Sequence, residues 1–139
     1  MDKSLFYFKK TFFIFQNIIK QKGLFFLIGL HFYYFKLRKS TFFHIGEQIS
    51  APCSIGFFSN FIYNPNYQYV PDLILLFNLE QNIGFLKEFK RIGIPTISLI
   101  DSDSPISLAE YPICLNTKSY FINMFFLITY SKIILINKL

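Results

Sequence analysis

The chain has 139 residues, the size of one domain, and a formal net charge of +6. At 53% hydrophobic it cannot belong to the disordered class, and its two cysteines exclude a disulfide framework or a cysteine metal cluster. The basic excess is confined to residues 1–40, where eight Lys or Arg stand against Asp2 for a net +7, while the remainder sums to −1. An anionic partner, either a nucleic acid or a membrane surface, follows from that asymmetry.

The 20 Phe and 21 Ile contrast with one Val, two Ala and no Trp. No folding rule favours Phe and Ile this heavily, because Val and Ala pack and pair as well. The favoured residues have AT-rich codons, so the composition reads as the base bias of an organellar genome acting on an ordinary fold. Cys53 and Cys114 are expected as two buried free thiols rather than a bridge.

In chain order, residues 4–22 place Phe8, Phe12, Phe15, Ile18 and Ile19 at helical spacing, with most lysines at other angles. This predicts an amphipathic helix with a basic outer face. Lys22-Gly23 ends it, and Leu24–Ile28 is predicted as a short buried strand. Residues 31–40 fit a second short helix closing on Lys36, Arg38 and Lys39. The stretch Phe42–Phe61 is broken by Gly46, Pro52 and Gly56 and gives no assignment. Asn64-Pro65-Asn66 marks a turn within a loop over 62–70.

Leu73–Phe77 is a continuous apolar run, the pattern of a strand buried on both faces in a parallel sheet. Asn78 is placed to cap a helix with Phe85, Leu86, Phe89 and Ile92 as its buried stripe. Gly93 fits the left-handed residue after that helix, and Pro95 prevents its continuation. Thr96–Ile100 is a second apolar strand ending at Asp101, completing a βαβ unit. Tyr111–Cys114 reads as a further strand. Asn116 is then the cap of a closing helix over 118–136, with Phe121, Phe125, Ile128 and Lys132 marking its turns. The expected fold is a single α/β domain over 1–139: a three-layer open parallel sheet flanked by helices, flavodoxin- or Rossmann-like.

Motifs of small-molecule chemistry are missing from the sequence. Neither G-x-G-x-x-G after a strand nor G-x-x-x-x-G-K-[ST] occurs, which argues against a dinucleotide or P-loop enzyme. His31 and His44, with Glu47 near, are too few ligands for a metal. Asp101 and Asp103, beside Ser102 and Ser104, suit a divalent-ion or acid–base site and equally an ordinary turn, which is the preferred reading. No G-x-S-x-G elbow holds a nucleophile. The longest uncharged apolar stretches, Gly23–Phe35 and Ser119–Ser131, have 13 residues each, short of the roughly 18 to 25 of a membrane span. The start lacks the look of a transit peptide, so the protein is expected to work where it is made or to be imported by another route.

One set of segments is more specific. Val70-Pro71-Asp72-Leu73-Ile74-Leu75-Leu76-Phe77, Phe89-Lys90-Arg91-Ile92-Gly93-Ile94-Pro95 running on to Asp101, and Glu110-Tyr111-Pro112-Ile113 resemble ribosomal protein S2 of the small subunit. That family reads P-D, a hydrophobic run, a helix, L-G-I-P, a hydrophobic run with D-T-N, then D-Y-P-I-P-G-N-D. Asp101 to Tyr111 matches without a gap, and Asn116 falls on the last asparagine. Upstream, Ser54–Phe61 is similar to W-L-G-G-M-L-T-N-F, with Cys53 at the tryptophan, and Ile19–Gly29 fits K-G-K-I-L-F-V-G.

The departures are a missing amino-terminal G-x-H-F-G-H segment and a missing helical-hairpin insertion, where Phe61–Val70 stands instead. Ile55 replaces a glycine of the G-G pair, Pro105-Ile106 the Asp-Pro after D-T-N, and Cys114-Leu115 the usual Pro-Gly.

The resemblance implies a structural constituent of the small ribosomal subunit acting in translation, with no catalysis and no cofactor. Its implied partners are small-subunit ribosomal RNA and neighbouring ribosomal proteins, with no membrane span and no small-molecule substrate. A shortened, mitochondrially encoded member, working in the mitochondrion, fits the AT-biased composition. The residues expected at the RNA surface are Lys9, Lys10, Lys20, Lys22, Lys36, Arg38 and Lys39, with Lys90 and Arg91 as secondary candidates. Lysines bind phosphates as point charges, and the interleaved aromatic rings can stack on bases. Aromatics left open by the missing hairpin are expected to meet other proteins. The alternative function is a small organellar membrane protein.

Overall fold

A computed structural model describes residues 2–29, 47–49, 56, 59–60 and 70–138. Helix α1 spans Asp2–Lys20. Lys22 then takes a positive φ of 59°, and the Gly23 N–H bonds back to the Ile18 carbonyl at 2.9 Å. That turn feeds strand β1, Phe25–Ile28, every residue of which is buried. Strands β2 (Glu47–Ile49), β3 (Leu73–Leu76), β4 (Thr96–Ile100) and β5 (Tyr111–Cys114) complete a sheet in the order β2-β1-β3-β4-β5. All four pairings are parallel, with Phe25 opposite Leu73, Leu75 opposite Ile97, and Leu99 opposite Ile113. This is the flavodoxin-like strand order, so the expected α/β class holds.

Alternation along the strands divides the core in two, since successive side chains point to opposite faces. Phe25, Leu27, Leu73, Leu75, Ile97, Leu99 and Ile113 face helix α1 and helix α3, the latter spanning Tyr120–Lys138. Phe26, Ile28, Ile74, Leu76 and Ile100 face helix α2, Ile83–Ile92. Aromatic rings join α1 to α3 and to the sheet. Phe15 meets Phe25 edge-on at 5.2 Å and Tyr130 at 4.6 Å, and Phe8 meets Phe126 at 5.5 Å.

Strands β4 and β5, the stripe on α2 and the Gly93 stop form as the sequence predicts; Gly93 has φ 83° and donates its N–H to the Phe89 carbonyl. Three expectations need correction, at Asn78, Asn116 and Cys114, and two open points are settled. Asn78 does not cap α2: it adopts a left-handed conformation and leads into a 3-10 turn, Leu79–Asn82, from which the helix starts. The side chain that matters is Asn82, whose amide donates to the carbonyls of Phe77 and Asn78. Strand β2 forms inside the stretch that gave no assignment, because three residues are too few to show a period.

The sequence left the buried face of α3 open. Phe126, Leu127, Tyr130 and Ile134 are buried, whereas Phe121, Phe125, Ile128 and Lys132 are exposed. This helix is apolar on nearly every side, so spacing alone cannot choose its buried face. It begins at Tyr120; Asn116 instead closes a turn, its side-chain oxygen accepting the Lys118 N–H at 3.1 Å. Finally, Cys114 is exposed, because β5 is an edge strand. The helix expected over 31–40, the turn at Asn64–Asn66, Cys53, His31 and His44 lie outside the described residues.

Candidate nucleic-acid interface

A parallel sheet starts every strand at the same end, so residues that precede different strands gather there whatever their distance in sequence. Lys20 and Lys22 precede β1, and Lys90 and Arg91 precede β4. Only β3 lies between those strands, so both basic pairs stand at the same end of the sheet, at the ends of helices that cover its opposite faces. All four side chains are exposed. They occupy the carboxyl ends of α1 and α2, where the negative pole of each helix favours cations.

Two acids at this end, Asp72 and Glu110, already accept backbone hydrogen bonds. Asp72 accepts the Leu24 N–H at 2.8 Å, and Glu110 accepts the Thr96 N–H at 3.3 Å. Each carboxylate ties one strand entry to its neighbour, leaving the basic side chains directed to solvent. The opposite end has the opposite sign: among the described residues, Glu80, Asp101 and Asp103 there face Lys118. Lys118 and Asp103 approach to 3.8 Å with both side chains about 70% exposed, a pair that contributes little to stability.

The other basic candidates separate from this rim. Lys9 and Lys10 are exposed but sit about 15 Å up α1 from Lys20. Lys10 is turned toward β5, its Nζ 5.5 Å from the Tyr111 ring centre. Lys36, Arg38 and Lys39 lie outside the described residues. Lys87, which was not among the candidates, is exposed on α2 at i−3 from Lys90 and i−4 from Arg91, on the same helix face. Helical spacing back from Lys90 is the signal that finds it.

Glu88 was missed as well. It is buried, and its carboxylate accepts the Ser59 hydroxyl at 2.7 Å together with the N–H groups of Ser59 and Gly56. These bonds hold Gly56 and Ser59 against α2. An acid lying between Phe85 and Phe89 on the buried stripe is the clue that it has an internal partner.

The usual ligand crevice of this topology lies at the carboxyl ends of β1 and β3, where connections diverge. Here the chain fills it. Gly29, at φ 81°, lies so close to the Phe77 carbonyl that any Cβ would collide with it. Phe77 donates its N–H to the Ile28 carbonyl at 2.8 Å, and Asn82 covers the turn. Asp101 makes a self-contained turn: its carboxylate accepts the Ser102 N–H at 2.8 Å and its carbonyl the Ser104 N–H at 3.1 Å. Among the described residues no three His, Cys, Asp or Glu side chains converge as metal ligands. No helix there is long and apolar enough to cross a membrane.

Residues 59–132, just over half the chain, match the sequence profile of the family described as Ribosomal protein S2. The Small ribosomal subunit protein uS2c of Mesostigma viride is 39% identical over 49 residues, which amount to 35% of this chain and 22% of that relative's length.

Proposed function

The chain belongs to the ribosomal protein S2 family, and from that premise we propose that it is a structural constituent of an organellar small ribosomal subunit. It works in translation without catalysis, cofactor or small-molecule substrate. Its partners are small-subunit ribosomal RNA and neighbouring ribosomal proteins. The observation that carries the RNA contact is the gathering of Lys20, Lys22, Lys90 and Arg91 on one rim from segments some 70 residues apart. Lys87 extends this rim along α2, and Lys9, Lys10, Lys36, Arg38 and Lys39 supply further phosphate contacts.

A mitochondrial ribosome is the location we favour. The AT-biased composition supports it, as does the short 61–69 connection in place of the hairpin expected from the family pattern. The relative from Mesostigma viride, named uS2c, makes a plastid ribosome the second reading. Sedimentation of purified organelles tests both. The chain is expected to co-migrate with mitochondrial small subunits through a high-salt gradient and to leave that fraction after RNase. Recovery with plastid subunits would establish the second reading, and recovery in carbonate-resistant membranes would reject both.

A further inference from the structure

Helix α1 turns Phe8, Thr11, Phe15 and Ile19 toward the core and leaves its opposite side to solvent. An α-helix advances about 100° per residue, so Phe6, Lys9, Lys10, Phe13, Asn17 and Lys20 fall within about 100° of arc on that outward side. Phe6 and Phe13 are each 64% exposed, and the three lysines are exposed with them. Lys9 and Lys10 lie between the two rings along the helix, one on either flank, with Lys10 leaning over Tyr111. The rings stand two turns apart, roughly 10 Å along the axis, so each meets a different ligand group.

The make-up of this stripe selects its occupant. In α1 four lysines stand against one acid, Asp2 at its start. A protein interface excludes lysine from its centre, and a lipid-facing stripe gathers its apolar groups together. Here two lysines separate two rings. An unpaired nucleic-acid strand offers what both kinds of side chain take, base faces for the rings and phosphates for the ammonium groups. A duplex keeps its base faces stacked inside and offers only phosphate, sugar and groove edges. The stripe ends at Lys20, which belongs to the basic rim, so one strand can follow α1 away from that rim.

We propose that the outward side of α1 carries an unpaired segment of RNA. Phe6 and Phe13 each stack on a base, and Lys9 and Lys10 hold the phosphates between them. The proposal rests on the RNA reading of the basic rim and extends it from phosphate contact to base contact.

The test uses the full chain with an unstructured oligouridylate of about 12 nucleotides and an RNA duplex of the same length. Phe6→Leu and Phe13→Leu keep an apolar helix former at exposed positions, so the melting temperature should not move. Each is expected to weaken oligouridylate binding about tenfold and to leave duplex binding unchanged. Lys9→Gln combined with Lys10→Gln should make the oligouridylate salt slope shallower by about 1.4, whereas the leucine variants should not change it. The chain has no Trp, so Phe13→Trp supplies a single reporter whose emission the oligouridylate should quench and the duplex should not. Unchanged affinity in both leucine variants, or emission that ignores the oligouridylate, would overturn the proposal while RNA bound at the rim leaves the earlier reading standing. A blue shift with phosphatidylglycerol vesicles in place of quenching would assign this face to a membrane instead. Failure of the full chain to bind either RNA would overturn both readings.

Discussion

The two faces of the sheet are covered in different ways. On one side α2 is short and amphipathic: Phe85, Leu86 and Phe89 point inward, and Lys87, Lys90 and Arg91 point outward. On the other side α1 and α3 bury one apolar stripe and expose another. A helix with a charged outer face is finished by solvent, whereas a helix that is apolar all round requires a second packing partner. The α2 layer thus ends in solvated cations and the α1/α3 layer leaves apolar side chains open, while Lys20 and Lys22 add the carboxyl end of α1 to the basic rim.

The sharpest way to break this contrast is to compare neighbouring residues of α3. Phe126→Ala should cost about 4 kcal/mol in urea denaturation, since Phe126 is 2% exposed in the core, while Phe125→Ala should stay within about 0.5 kcal/mol. Similar costs for the two would place the buried face elsewhere. On the α2 side, Glu88→Ala should cost about 3 kcal/mol, because two N–H donors and the Ser59 hydroxyl lose their buried acceptor together.

Alkaline titration separates the layers in another way. Burial raises the Tyr130 hydroxyl well above the ordinary tyrosine value, and the nearby Thr11 hydroxyl offsets part of that rise. Below about pH 10 the phenol is neutral in both folded and unfolded chains; above it the unfolded chain ionises first, so stability falls as pH rises. The loss approaches about 1.4 kcal/mol per pH unit for this one proton. Tyr130→Phe should flatten that limb measurably. The smallest effect is expected at Ser98 in β4, fully buried with its hydroxyl unpartnered among the described residues. Ser98→Ala should raise stability by about 1 kcal/mol, read as a higher melting temperature.

The same contrast explains what the sequence could reveal. Strand β4 and the stripe on α2 were legible because polar residues frame their apolar ones, and Gly93 with Pro95 marks the stop between them. The family pattern fell on the same elements. The face of α3 was not legible, since the helix is apolar around most of its circumference and only the sheet selects Phe126, Leu127, Tyr130 and Ile134. The basic rim was half legible. Its residues could be named individually, but the reason Lys20 and Lys22 join Lys90 and Arg91 is strand order, a property of the folded sheet. The overall +7 of the first 40 residues drew attention to the amino-terminal third, whereas folding places part of that charge beside residues of the carboxyl-terminal half.

The proposed RNA contact rests on the rim, and the salt dependence of RNA affinity measures it most directly. With small-subunit ribosomal RNA, the slope of log affinity against log salt should become shallower by about 3 when Lys20, Lys22, Lys90 and Arg91 are neutralised together, because four fewer phosphates release counterions. An unchanged slope, or a larger change on neutralising Lys9 and Lys10 alone, would contradict the placement of RNA at the amino-terminal end of the sheet.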